Sequence, residues 1–243
     1  MKTTLSLLAL LALALSVRPA CAADLVERTW KVGGVERKAL VHLPAKIEGA
    51  PVIFAFHGHY GTMRNAARTW HLEREWPEAI VVYAQGVPTK TPNDRVGSGN
   101  GWSLFPGSIA PNPDLKFFDA MLATARTEWK VDPKRVFCTG HSNGAAFTYL
   151  LWGRYPDTFA ALAPVAGAGQ YLIRGGTPCP LLAIGAENDP IVKWETQQLP
   201  TIEAARKLNG TKAPVEVVKH SRGHAYPADA PEKIVAFFKK HTL

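Results

Sequence analysis

Gly140-His141-Ser142-Asn143-Gly144 sets a serine between two glycines, each two residues away. The pattern G-x-S-x-G gains meaning from its surroundings, a strand-like stretch at 135–139 and a helix-like stretch at 145–154. A tight strand-to-helix turn has no room for side chains at the glycine positions. It lifts the serine hydroxyl above the sheet, at the positive end of the following helix. The chemistry such a serine can do is nucleophilic attack. The competing reading is a glycine-rich turn with a helix-capping serine.

A serine hydroxyl needs a base, usually histidine, and the base needs a carboxylate to orient it. With this turn the chain order is serine, acid, histidine. Three histidines follow Ser142. His241 lies in the C-terminal tail and His220 ends a strand-like run. His224 sits in a Gly-Pro-bounded loop before the last helix, where an imidazole can hang over the serine. The acid should follow a strand on the same sheet edge. Asp189, in the turn Ala186-Glu187-Asn188-Asp189-Pro190, is the candidate, with Glu187 as the alternative. Asp157, after Tyr155-Pro156, reads as a capping residue.

Acyl transfer also needs N–H donors aimed at a developing oxyanion. Asn143, directly after the serine, is expected to give one through its backbone. The second should come from the loop after strand 52–56, which reads His57-Gly58-His59-Tyr60-Gly61. His59 is the candidate, with Tyr60 next, and His57 is expected to pack beneath the loop. Trp102, Phe105 and Trp194 can line an acyl or aromatic pocket, or can equally pack in the core or on the surface. No metal or cofactor is expected. His57-x-His59 lacks a third ligand nearby, Gly223 and Pro227 argue against a helical His220/His224 pair, and Gly97-x-Gly99-x-Gly101 does not precede a helix.

Elements of a particular kind must position these residues. Gly33-Gly34 joins two alternating runs, 26–31 and 35–43, into an expected hairpin. Continuous apolar runs at 52–56 and 79–84 read as strands buried on both faces. Strands are also expected at 135–139, 159–166, 180–185 and 215–219. Helices are expected at 66–75, 115–129, 145–154, 196–208 and 231–240. That alternation calls for an α/β fold, with a mostly parallel sheet, an antiparallel N-terminal hairpin and helices on both faces. Residues 85–113, rich in Gly, Pro, Ser and Asn, form an expected long functional loop. Only residues 167–178 separate the two strands before the acid, too few for a helical cap.

The N-terminus has a different role. Lys2, an apolar run at 5–17 and Ala20-Cys21-Ala22 form the three-part pattern of a signal peptide, cleaved after residue 22. The run is too short to span a bilayer, so no stable membrane insertion is expected after cleavage. Residues 23–243 suit one domain. A composition 47% hydrophobic and 20% charged excludes a disordered chain and a multi-span membrane protein. The formal charge of +8 is scattered without a basic block, which argues against nucleic-acid binding. Cys138 and Cys179 fall on strands with another strand between them. About two strand spacings exceed the ~7 Å Cα reach of a disulfide, so both are expected as buried free thiols.

Several of these stretches together resemble the polyhydroxybutyrate depolymerase/feruloyl esterase group of secreted α/β-hydrolases, akin to carbohydrate esterase family 1. The stretches are Val131-Asp132-Pro133-Lys134-Arg135-Val136, Gly140-His141-Ser142-Asn143-Gly144, Tyr155-Pro156-Asp157 and Ala163-Pro164-Val165-Ala166-Gly167. His57-Gly58, Gly101-Trp102, Asp189-Pro190-Ile191-Val192 and Gly223-His224 fall in the same order as that group's landmarks. The resemblance implies an α/β-hydrolase fold with nucleophile Ser142, acid Asp189 and base His224. The chain departs from the group at Tyr226, where Trp is frequent, at Ala228, where Gly is, and in an acid turn without His-Gly-Thr.

Three functions fit this sequence. The first is a secreted or periplasmic serine esterase, monomeric or weakly dimeric, acting on soluble or oligomeric feruloyl, acetyl or hydroxyalkanoate esters. The second is a small serine peptidase on the same scaffold. The third is a non-catalytic binding protein that kept the fold.

Overall fold

Five consecutive apolar residues bounded by Pro51 and Gly58 suit a strand covered on both faces. Val52–Phe56 is that strand, buried along its whole length. The computed structural model describes residues 25–91, 94–105 and 112–243 and builds an eight-stranded sheet around it. The expected signal peptide at 1–22, and residues 92–93 and 106–111 of the expected long loop, lie outside the described residues.

In chain order the first strands are β1 (Val26–Val32), β2 (Val35–His42) and β3 (Val52–Phe56). β1 and β2 form the expected antiparallel hairpin. Gly33 and Gly34 take φ of 57° and 84°, the left-handed pair that a two-residue hairpin turn demands. α1 (Met63–Trp70) and α2 (Leu72–Glu75) stand where one helix was expected at 66–75. The break is His71, at φ 46°. Trp70 and Leu72 are both buried, and a continuous helix would point them about 200° apart.

β4 (Ile80–Ala84) pairs parallel with β3 and antiparallel with β2. The two-residue strands β5 (Val87–Pro88) and β6 (Asn100–Gly101) pair with each other outside the main sheet. α3 (Pro113–Thr127) follows, capped by Asn112, whose side chain accepts from the N–H groups of Asp114 and Leu115. Then come β7 (Val136–His141), α4 (Asn143–Arg154), β8 (Ala161–Val165) and β9 (Leu181–Gly185). A π-helical turn at Trp194–Gln198 leads into α5 (Leu199–Asn209), and β10 (Val215–Lys219) and α6 (Ala230–Phe238) close the chain.

Across the sheet the order is β1-β2-β4-β3-β7-β8-β9-β10, parallel from β4 to β10. This is the expected α/β-hydrolase architecture. Alternate residues of β3 serve opposite faces, as the period-2 pleat requires. Phe54 and Phe56 pack in one core cluster with Phe117 and Phe118 of α3 and Phe147 of α4. Ile53 and Ala55 pack in the other with Ala66 and Ala67 of α1 and Ile234 of α6.

The strand order reverses at β3, with β4 on one side and β7 on the other. A crevice therefore opens beyond the C-terminal ends of β3 and β7, where sheets of this kind admit ligands. Residues 166–180, where a cap would insert, hold turns only. Among the described residues no helix is long and apolar enough to cross a membrane. Cys138 and Cys179 are buried free thiols, as their separation by β8 requires.

Candidate active site

Ser142 sits between β7 and α4, with no residue to spare on either side. The strand runs on to His141 and the helix starts at Asn143, two residues past and two before the expected ends. The turn forces Ser142 to φ 54° and ψ −115°, a conformation that costs a non-glycine residue of order 1–3 kcal/mol. Its N–H is held by the Val165 carbonyl at 2.9 Å. The flanking glycines are sterically required. A Cβ on Gly140 would come within 2.4 Å of the Gly144 backbone, and one on Gly144 within 2.1 Å of the Phe56 oxygen.

The structure brings Ser142, His224 and Asp189 together from three separate loops. His224, on the loop after β10, places Nε2 2.8 Å from Ser142 Oγ and Nδ1 2.8 Å from Asp189 Oδ2. Facing a carboxylate, Nδ1 carries the proton, which leaves Nε2 to accept from the serine hydroxyl. Asp189 lies in the turn after β9 with its side chain fully buried. Its Oδ1 accepts from the N–H groups of Ile191 and Val192 at 2.8 and 2.9 Å. Its Oδ2 also receives Gln198 Nε2 at 3.2 Å. The alternative acid, Glu187, instead pairs with Lys219 at the surface. His220 accepts from the Arg222 N–H, and His241 packs on Phe237, so neither approaches the serine.

The loop at 57–61 lies directly above this turn, since a Cβ on Gly58 would meet Ser142 Cβ at 3.4 Å. Among the described residues, the N–H groups of His59 and Asn143 have no hydrogen-bond acceptor, whereas that of Tyr60 is taken by the Asn100 carbonyl at 2.8 Å. His57 packs beneath the loop, as expected. Its Nδ1 donates to the Gly58 carbonyl at 2.7 Å and its Nε2 accepts from the Gly86 N–H at 2.9 Å. Burial lowers its pKa to about 4, so the ring is neutral. His141 behaves alike, lowered to about 4 by burial first and by His224 second, with the two rings 5.1 Å apart.

Two of the three aromatics expected to line a pocket or pack in the core are buried. Trp102 is 0% exposed. It packs edge-on to Phe56 and stacks on Phe147, while its indole N–H donates to the His57 carbonyl at 2.8 Å. This indole is a core pin because its polar handle finds a buried acceptor there. Trp194 is buried against Ala183 and Ile202, beneath Lys219. It is the first residue of the π-helical turn at Trp194–Gln198 and takes the core-packing alternative. Phe105 is 75% exposed and faces a cavity of about 480 Å³ with Leu104, Lys90, Thr91 and Arg95, backed by Trp102. A second cavity, of about 400 Å³, lies on the other flank, lined by Gly58, His59, Trp70, His141 and Tyr226.

Sequence reasoning missed several supports. Asp94 collects N–H groups from Gly97 and Gly99 at 2.8 and 2.9 Å, the Ser98 hydroxyl at 3.2 Å and His59 Nε2 at 3.0 Å. The Gly99 N–H, helped by that of Gly97, holds its carboxyl well below the usual range. The Asn143 side chain clasps the Trp102 backbone, accepting at 2.7 Å and donating at 3.1 Å. Arg37 and Asp114 form a buried ion pair at 2.6 Å, and Asp114 also accepts from the Ser103 N–H at 2.7 Å. Glycines three and five residues after Asp94 were the available signal for its turn. Gln198 and the Arg37–Asp114 pair gave none.

Comparison with known proteins agrees with the geometry. The chain is 28% identical over 145 residues to the acetylxylan esterase of Coprinopsis cinerea, covering 57% of this chain and 37% of that protein. It is 31% identical over 133 residues to poly(3-hydroxyalkanoate) depolymerase C of Paucimonas lemoignei, covering 54% and 31%. The chain spans 23–51% of the lengths of the curated relatives it matches. Among solved structures, a ferulic acid esterase superposes with TM-score 0.69 at 16% identity, covering 89% of this chain and 98% of that one. An S-formylglutathione hydrolase from Agrobacterium tumefaciens gives 0.70 at 17%, covering 88% and 94%. Such identities speak to the fold, and they bear out the α/β-hydrolase resemblance. The model of one family matches residues 82–241, well over half of the sequence, and by that match the chain belongs to the dienelactone hydrolase family.

Proposed function

We propose that this chain is a secreted serine esterase that hydrolyses soluble carboxylic esters through an acyl-enzyme on Ser142. The observation that carries the proposal is the relay from Ser142 Oγ to His224 Nε2 and from His224 Nδ1 to Asp189, each link 2.8 Å. His224 takes the serine proton as Oγ attacks the ester carbonyl, and Asp189 stabilises the imidazolium that forms. The resulting oxyanion faces the N–H groups of Asn143 and His59. The tetrahedral intermediate collapses as His224 returns the proton to the departing alcohol. Water, activated by the same imidazole, then releases the acid and regenerates Ser142.

The names of the relatives, acetylxylan esterase and poly(3-hydroxyalkanoate) depolymerase, support an ester rather than a peptide substrate. The cavity beside Phe105 and Leu104 suits an apolar or aromatic acyl group, with Lys90 and Arg95 available to a polar substituent. Export rests on the signal-peptide pattern of residues 1–22. Secreted protein is expected to begin at Ala23 on N-terminal sequencing.

Turnover of p-nitrophenyl acetate by the wild type, lost in Ser142→Ala, is the expected result. Turnover that Ser142→Ala leaves intact overturns the proposal. A panel of soluble acetyl, feruloyl and 3-hydroxybutyryl esters, with aminoacyl-anilides alongside, ranks the substrates. Anilides cleaved faster than every ester would make the chain a peptidase.

A further inference from the structure

One short segment, residues 94–102, touches both residues that offer N–H groups to the oxyanion. Asp94 Oδ2 holds His59 Nε2 at 3.0 Å. The Asn100 carbonyl accepts the Tyr60 N–H at 2.8 Å, which fixes the peptide that follows His59. Two residues on, the Trp102 backbone exchanges hydrogen bonds of 2.7 and 3.1 Å with the Asn143 side chain. Neither His59 nor Asn143 is locked by secondary structure alone. His59 is in an irregular loop, and Asn143 is the first residue of α4, where the backbone N–H has no helical partner.

The geometry of the segment leaves little freedom. A Cβ on Gly101 would come within 2.5 Å of His59 Nδ1 and 2.9 Å of Asn143 Oδ1, so the imidazole and the amide converge on the space above this glycine. A Cβ on Gly99 would meet the Tyr60 ring at 2.7 Å and His59 Nε2 at 2.9 Å. The buried Asp94 carboxylate is the hub of the arrangement. It folds 97–99 around itself through the Gly97 and Gly99 N–H groups and the Ser98 hydroxyl, and it also holds His59. A carboxylate holding a histidine this way fixes the ring's tautomer and orientation.

We propose that Asp94 is a positioning residue for ester hydrolysis, acting through the His59 ring to aim the His59 N–H at the oxyanion. The proposal rests on the esterase reading above. It gives the long loop a function separate from the cavity it also borders. Asp94 touches neither the substrate nor the reacting atoms. Its effect is confined to the state in which the oxyanion exists, because misplaced donors weaken transition-state binding more than substrate binding.

The test compares wild type, Asp94→Ala, Asp94→Asn, His59→Ala and the Asp94→Ala/His59→Ala double variant, each normalised by active-site titration. Turnover of p-nitrophenyl acetate is read as kcat and KM. Phenylboronic acid, which forms a tetrahedral adduct on a serine, reports oxyanion binding. In Asp94→Ala, kcat should fall on the order of 100-fold, phenylboronic acid inhibition should weaken by a similar factor, and KM should stay within about 3-fold. Asp94→Asn should recover part of the loss, and the double variant should be no worse than Asp94→Ala. Wild-type kcat and boronate affinity in folded Asp94→Ala overturn the proposal, as do losses that add fully in the double variant. If Asp94→Ala does not fold, His59→Ala decides, since it keeps the backbone N–H but not the clamp; unchanged kcat and boronate affinity there overturn it. A wild type that neither turns over esters nor binds the boronate overturns the esterase reading and this proposal together.

Discussion

Gly144 lies against the end of β3 so closely that a Cβ there would stand 2.1 Å from the Phe56 carbonyl oxygen. This approach joins the two halves of the crevice. It sets the first turn of α4, which begins at Asn143, beside the loop at 57–61 that carries His59.

Gly144→Ala has to push β3 and α4 apart. We expect about 3 kcal/mol of lost stability, by urea unfolding, and a fall in esterase rate beyond tenfold in the fraction that remains folded. Gly58→Ala is expected to be milder, since its Cβ would first meet the His141 ring at 3.0 Å. Equal stability losses in the two variants would contradict the close approach.

Stability should fall with pH below neutrality. Burial holds His57 and His141 at about 4, whereas both titrate near 6.5 when unfolded. A histidine with a depressed folded pKa binds more protons unfolded than folded between those values. Its contribution is therefore complete above about pH 6.5 and lost progressively as pH falls towards 4. Between pH 6.5 and pH 5.0 each ring accounts for about 2 kcal/mol at most. Urea midpoints at pH 7.5 and pH 5.0 should differ, with the lower value at pH 5.0. A midpoint that rises at pH 5.0 would mean that these rings are not buried neutral.

Trp102→Phe distinguishes a core pin from a substrate wall. The variant loses the indole donor to His57 and some packing against Phe147, worth about 1–3 kcal/mol. Thermal unfolding should shift accordingly, while KM for a series of acyl chain lengths keeps its rank order. A reordered series with unchanged stability would make Trp102 a determinant of acyl selectivity instead of a core pin.

The parts of the site legible in the sequence are those set by local backbone. A serine between glycines at a strand-to-helix junction, a carboxylate one turn past β9 and a histidine on the loop after β10 have their places dictated by the alternation of elements. Gly33-Gly34 located the hairpin for the same reason. What escaped depends on contacts between distant segments. Nothing near Asp94 in the chain announces His59, 35 residues earlier, as its partner. Nothing in the turn at 194–198 shows that a π-helical geometry buries Trp194 and brings Gln198 to Asp189. The apolar spacing of 66–75 is near-helical throughout, and only the need to bury both Trp70 and Leu72 breaks the helix at His71.

The central claim is covalent catalysis by Ser142, and the most direct measurement is to trap the acyl-enzyme. Protein mixed with excess p-nitrophenyl acetate, acid-quenched within the first turnover and mapped by peptide mass spectrometry should carry one acetyl group on Ser142. The same protein after turnover is complete should carry none. An active protein that never acquires acetyl on Ser142, or acquires it on another residue at the rate of turnover, would contradict the account.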